Sequence, residues 1–243
     1  MKREVTTLKV DIALSVSQLK QEDICRSAVI VIDALRATST IITALHQGCR
    51  KVIPVETLGQ ALQSHGKPDT LLIGERFSKK VPGFDLPNSP SVISQRDLTG
   101  KTIVITSTNG TKALKKVKKA PRVLVGSFVN VSHCVDQVLS EKGSVLIVCA
   151  GRHGELAIED GLAAGCIVHL LKERAENIEC TDTALLLEYH YVAKKEQLTE
   201  LVFKGKTAGS LLKTGQKNDI HFCLDVDRYA LTGVYQDDGI VRI

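Results

Sequence analysis

Apolar residues in this chain arrive in short runs, and each run ends at a polar or charged turn. The sharpest case is residues 28–45, AVIVIDALRATSTIITAL. Residues 29–32 are unbroken and β-branched, and the run stops at Asp33. Polar positions follow from Arg36 to Thr40, and apolar ones then return at helical spacing as Ile41, Ile42, Ala44 and Leu45. This order predicts a buried strand, a polar turn and a helix start. At the carboxyl end of a parallel strand such a turn presents Asp33 to a cation and Arg36 to an anion, beside the free N–H groups of the next helix.

The rhythm repeats along the chain. Strands are predicted over 5–14, 51–55, 70–76, 101–106, 122–127 and 144–150. Helices are predicted over 16–23, 57–65 (stopped by Gly66), 112–119, 131–141, from Gly161 through Leu171, over 181–203 and over 208–213. Residues 81–90, with three prolines, are expected to continue neither sheet nor helix. Residues 221–227 lead to a segment at 229–235 with no assigned structure. Strand, polar turn and helix in alternation predict a three-layer α/β/α fold with a largely parallel or mixed sheet. Ligands then belong at the carboxyl ends of the strands. At 243 residues the chain suffices for one α/β domain over 1–243, or for two lobes with the active site between them.

Composition narrows this picture. An apolar fraction of 43% and a charged fraction of 24% are ordinary for a water-soluble globular domain. No apolar run approaches the roughly 20 residues that span a bilayer, and the first residues lack a signal-peptide core, so a cytoplasmic protein without membrane contact is expected. Much of the net charge of +5 sits in Lys112, Lys115, Lys116, Lys118, Lys119 and Arg122. Ala113, Leu114 and Val117 keep an apolar stripe between those lysines, and with 4% aromatic residues there is little to stack on bases. A solvated helix face is therefore preferred to nucleic-acid binding. The seven cysteines show no CxxC pair and read as reduced core thiols. Cys149 ends a strand, but Glu155 stands where a phosphatase cysteine loop needs arginine.

The strand ends would gather Asp33, Glu75, Glu159 and Asp160 as oxygen ligands. Arg36, Arg76, Arg152, His153 and the 107–111 turn (Ser-Thr-Asn-Gly-Thr) would serve as anion donors. Carboxylates without clustered histidine or thiolate favour magnesium over zinc. A divalent cation with several anion donors is what phosphoryl transfer requires. The nucleotide P-loop, the GxGxxG turn and the DxDxT phosphatase motif are all missing.

Five ordered blocks carry a resemblance: Asp33-Ala-Leu-Arg-Ala-Thr-Ser-Thr40, Gly74-Glu-Arg76, Gly83-Phe-Asp-Leu-Pro-Asn-Ser-Pro90, Thr108-Asn-Gly-Thr111 and Glu159-Asp-Gly161. Over about residues 28–165 the chain resembles the 2-phosphosulfolactate phosphatases, with Pro87 where that family has glycine. The resemblance implies a three-layer α/β fold, Mg2+ dependence, hydrolysis of 2-phospho-3-sulfolactate to 3-sulfolactate and phosphate on the route to coenzyme M or free sulfolactate, and a homodimer as a plausible assembly. On that reading Asp33, Glu159 and Asp160 hold the metal, and Glu75 joins them or orients water. Arg36, Asn109, Gly110 and Thr111 grip the phosphate, and Arg76, Arg152 and His153 meet the carboxylate and sulfonate. Thr38, Ser39, Asn88, Ser89 and Thr108 complete the substrate contacts. The rival readings are hydrolysis of another small 2-phospho-hydroxy acid and a non-catalytic anion binder of the same fold.

Overall fold

The structure is a computed structural model and describes residues 7–139 and 143–243. Its strands are β1 (Leu8–Ala13), β2 (Ser27–Ile32), β3 (Lys51–Pro54), β4 (Thr70–Arg76), β5 (Lys79–Lys80), β6 (Leu86–Pro87), β7 (Thr102–Thr106), β8 (Arg122–Gly126), β9 (Ser144–Cys149), β10 (Ile178–Cys180), β11 (Gly233–Gln236) and β12 (Gly239–Arg242). Its α-helices are α1 (Gln21–Arg26), α2 (Ala37–His46), α3 (Leu58–Leu62), α4 (Pro90–Ile93), α5 (Gly110–Val117), α6 (Val131–Leu139), α7 (Ile158–Arg174), α8 (Asp182–Lys194), α9 (Leu198–Phe203), α10 (Lys206–Lys213) and α11 (Lys217–Cys223).

These elements form a mixed α/β fold around one sheet, in the order β10-β1-β9-β2-β8-β11-β12-β3-β7-β4-β5, with β6 paired to β4. Five strands, β10 to β8, are mutually parallel, and so are β3, β7 and β4. The β11–β12 hairpin joins the two groups through antiparallel pairs on both sides, to β8 and to β3. Three antiparallel steps leave the groups running in opposite senses along the sheet. A right-handed twist of roughly 20–25° per strand accumulates over the steps from β2 to β7 and turns the carboxyl ends of the two groups toward each other.

Alternation along the central strands fills two cores. Ile30 and Ile32 of β2, with Val145 and Ile147 of β9, pack under α6 and α7. Val29, Val31, Leu146 and Val148 face the opposite side, with Ile41, Ile42 and Leu45 of α2 and Leu114 of α5. Every residue of β2 is buried, as a strand covered on both faces requires. In α2 all but His46 are buried, because that helix lies between β8, β11 and β3. A smaller core of Ala61, Leu72, Val81, Phe84 and Val104 sits beneath α3.

The strand at 70–76 forms as expected, while several boundaries move. The first strand spans Leu8–Ala13, and residues 5 and 6 of the expected strand lie outside the described residues, as do 140 and 141 of the expected 131–141 helix. The expected helix at 16–23 is a short 3-10 turn followed by α1. The 57–65 helix shrinks to Leu58–Leu62, with Thr57 and Gln60 in a capping box. Within 81–90 the chain does rejoin the sheet: Leu86–Pro87 pairs with Ile73 and Gly74 at an edge, where a missing N–H is tolerated. The expected 181–203 helix breaks at a 3-10 turn, Lys195–Gln197. The stripe on α5 is as read, with Ala113, Leu114 and Val117 fully buried and Lys112 and Lys116 exposed. Five cysteines are buried and none of the seven is disulfide-bonded. Burial pushes the Cys149 thiol well above its ordinary range, which leaves it protonated in the core.

Candidate active site

Where the ends of the two strand groups approach, a cavity of about 110 Å³ opens. From the first group come Asp33 and Arg36 after β2, Arg152 and His153 after β9, and Glu159 and Asp160 in the first turn of α7. From the second come Glu75 on β4, Asn88 before α4, and Ser107, Thr108 and Asn109 after β7. Thr207 and Leu211 of α10 close one side.

Asp33 is held from behind. The Ala37 N–H donates to its Oδ1 at 3.4 Å, and Gly110 packs so closely that a Cβ there would meet Asp33 Oδ2 at 2.5 Å. Burial lifts the Asp33 carboxyl to about 7, opposed by the N–H groups of Ala37 and Gly110 and reinforced by the charges of Glu75 and Glu159. Asp160 accepts the Ala34 N–H at 2.8 Å and the Gly151 N–H at 3.0 Å, which ties the turns after β2 and β9 to one carboxylate. Burial, then Asp33 and Glu159, raise its pKa well above the usual range. Glu159 is also raised by burial, against the Thr207 hydroxyl and Arg152. Glu75 accepts from the Thr108 N–H and hydroxyl through Oε1 and from the Ser78 N–H through Oε2.

Three buried acids whose ionised forms are disfavoured share one cavity, and Glu159 Oε2 is buried with no hydrogen-bond partner. Like charges so placed are relieved by a cation. Among the described residues no group of three or more His, Cys, Asp or Glu side chains is placed to hold a metal ion together. An octahedral, water-retaining ion such as magnesium needs only one or two carboxylates beside its waters and a phosphate. The donor set therefore fits that ion.

Arg36 is buried, and its Nη1 donates to Asp219 Oδ2 at 2.6 Å and to Gln216 Oε1. The Leu35–Arg36 peptide bond is cis. Asp219 Oδ1 accepts from Ser89 Oγ at 2.7 Å, from Ser91 Oγ at 2.5 Å and from the Ser91 N–H at 3.2 Å. Asp219 thus fixes both the arginine and the start of α4, a partnership that sequence reasoning missed. A lone acid on a short helix gives no sign of a partner 183 positions away. Gln216, Thr207 and Leu211 were missed for the same reason.

Other expected contacts sit behind the cavity wall. Arg76 points away, donating to the carbonyls of Glu75 and Glu56 and to Thr106 Oγ1. Thr38 exchanges hydrogen bonds with the Asp33 backbone, and Ser39 donates to the Ala34 carbonyl and pairs with Ser127 Oγ. Ser89 caps α4 and reaches Asp219. Thr111 bonds back to Ser107, and Gly110 opens α5 two residues ahead of the expected start at 112. Short hydroxyl side chains at helix starts satisfy local backbone groups, so these residues shape the turns that carry the lining.

A mixed α/β protein that sets buried carboxylates against guanidinium and amide donors in one small cavity is equipped for phosphoryl chemistry, as a phosphoric monoester hydrolase. The chain belongs to the 2-phosphosulfolactate phosphatase family, whose model matches residues 13–238. It is 35% identical over 237 residues to a protein of Clostridium acetobutylicum, covering 96% of this chain and all of that one. It is 37% identical over 229 residues to one of Caldanaerobacter subterraneus, covering 93% and 94%, and 40% identical over 205 residues to one of Thermotoga maritima, covering 84% and 87%. Each of these relatives carries the name probable 2-phosphosulfolactate phosphatase. Among the described residues no helix is long and apolar enough to cross a membrane.

Proposed function

We propose that the protein hydrolyses 2-phospho-3-sulfolactate to 3-sulfolactate and phosphate with Mg2+ as cofactor. The observation that carries this reading is the convergence of Asp33, Glu159 and Asp160 with Arg36, Arg152, His153 and the Ser107–Asn109 turn on one cavity. The names of the relatives support the choice of substrate.

One or two of Asp33, Glu159 and Asp160 would hold the ion. It would supply charge neutralisation on the phosphoryl oxygens and a more acidic water. The turn after β7, with Ser107, Thr108 and Asn109, would grip the phosphoryl group beside Arg36. Asp219 holds the Arg36 fork in place, so little reorganisation is needed when charge develops. Arg152 and His153 would face the carboxylate and sulfonate. Hydrolysis breaks the bond between phosphorus and the ester oxygen, takes a proton from water and returns one to the departing hydroxy acid. Glu75, which lines the cavity outside the proposed ligand set, would orient the attacking water.

Phosphate release from 2-phosphosulfolactate, phospholactate and phosphoglycerate, each with magnesium and with excess EDTA, tests the proposal. The expected result is fast release from the sulfonate substrate that stops with EDTA. Equal release from all three would favour a general phosphatase of 2-phospho-hydroxy acids, and binding without release an anion-binding protein.

A further inference from the structure

The β4–β5 hairpin turns through two residues, Phe77 and Ser78, since Arg76 pairs with Lys79. Both have positive φ, 54° and 62°. Turns with two such residues are the province of Asn-Gly, and a bulky side chain there is conformationally strained. The ring gains no packing in compensation: Phe77 is 91% exposed and still borders the cavity. A strained residue that leaves a large apolar group in water serves neither fold nor solubility, and such positions gather at ligand sites.

The turn is also tied to the floor of the site. The Ser78 N–H donates to Glu75 Oε2, and the Ser78 carbonyl accepts from Gln216 Nε2. Gln216 in turn accepts from Arg36, so the hairpin tip is braced against the cavity wall by Glu75 directly and by Arg36 through Gln216. Of the phosphate donors, Arg36 is buried, 4% exposed, and Asn109 is half-buried, while the ring is exposed. The part of the ester away from phosphorus therefore extends toward Phe77.

We infer that Phe77 is a specificity residue of this enzyme: its ring packs over the short carbon chain of the bound substrate and sets an upper limit on substrate size. The inference rests on the phosphatase reading for its substrate and on the turn for its geometry. The cavity then admits small anionic phosphomonoesters and excludes bulky ones, and binding withdraws the ring from water.

Wild type, Phe77→Leu and Phe77→Gly are compared on 2-phosphosulfolactate and on p-nitrophenyl phosphate with magnesium, alongside their melting temperatures. Phe77→Gly should melt no lower than wild type, because glycine adopts positive φ freely. Its KM for the small substrate should rise roughly tenfold, and its preference for that substrate over the aryl ester should fall by a similar factor. Phe77→Leu should lie between. Unchanged KM and unchanged preference in Phe77→Gly would overturn the inference. If wild type releases phosphate from neither ester, the functional proposal fails and a second measurement decides. The chain has no tryptophan, so Phe77→Trp places one fluorophore at the mouth. A blue shift and reduced acrylamide quenching on adding 2-phosphosulfolactate or phosphoglycerate with magnesium support the contact, and a spectrum unmoved by either rejects it.

Discussion

Asp33 keeps its proton into a pH range where the unfolded chain has lost it. With a folded value of about 7 against an ordinary 3.8, the native state binds the extra proton. In the metal-free protein its contribution is therefore neutral below about pH 4 and increasingly destabilising as pH rises to 7. Asp33→Asn should match wild type in urea denaturation with EDTA at pH 4 and be more stable at pH 7.5, while losing phosphatase activity. A variant less stable at both pH values would show that the carboxylate is satisfied as it stands. Asp219 behaves differently, since it is the counter-charge of a buried arginine. Asp219→Asn should cost about 3–5 kcal/mol of stability, because Arg36 is left unpaired. The double replacement Arg36→Met with Asp219→Leu should regain most of that stability and none of the activity. Recovery of activity in the double variant would remove Arg36 from the site. Of this couple only Arg36 was legible, in the first block; its partner lies on α11, where nothing in KNDIHFC marks Asp219 as the counter-charge of a distant arginine.

At the scale of elements, two helical glycines separate packing from propensity. A Cβ on Gly165 in α7 would stand 2.2 Å from the Leu187 carbonyl oxygen of α8, whereas one on Gly209 in α10 would meet nothing within 4 Å. Gly165→Ala should destabilise by about 1–3 kcal/mol through overpacking. Gly209→Ala should stabilise by up to about 1 kcal/mol through helix propensity. Thermal melting of both checks the pair, and equal shifts would contradict the α7–α8 contact. The sequence shows Gly165 only as a small residue in an apolar helix. Elements with a strong period were legible, as β2, β4 and α7 with its two leading acids show. The β4–β5 hairpin was hidden because Phe77-Ser78 occupies the place of a recognisable turn pair, and β10 because three residues, an exposed Glu179 between two half-buried neighbours, are too few to declare a period.

For the whole molecule the unexpected feature is the joint. Sequence alternation announced a largely parallel or mixed sheet, but not that its parallel strands form two groups facing opposite ways or that β11–β12 lies between them. The segment at 229–235 is too short and too mixed to declare its pairing, and a strand's neighbours are set by the fold around it. The cavity depends on that joint, since Asp33 and Glu159 belong to one group and Glu75 and Asn109 to the other. Deleting residues 233–243 should abolish the cooperative melting transition and convert the protein to aggregates on size-exclusion chromatography. A truncated chain that melts cooperatively as a monomer would show that each group of strands is self-sufficient.

That hairpin follows every other strand in the sequence, which has a consequence for biogenesis. On the ribosome, both parallel groups emerge with β8 and β3 as open edges before the piece that covers them exists. The nascent chain therefore passes through a stage of two uncapped half-sheets, and its yield in a cell should depend on how well chaperones shield those edges until the final turn is translated.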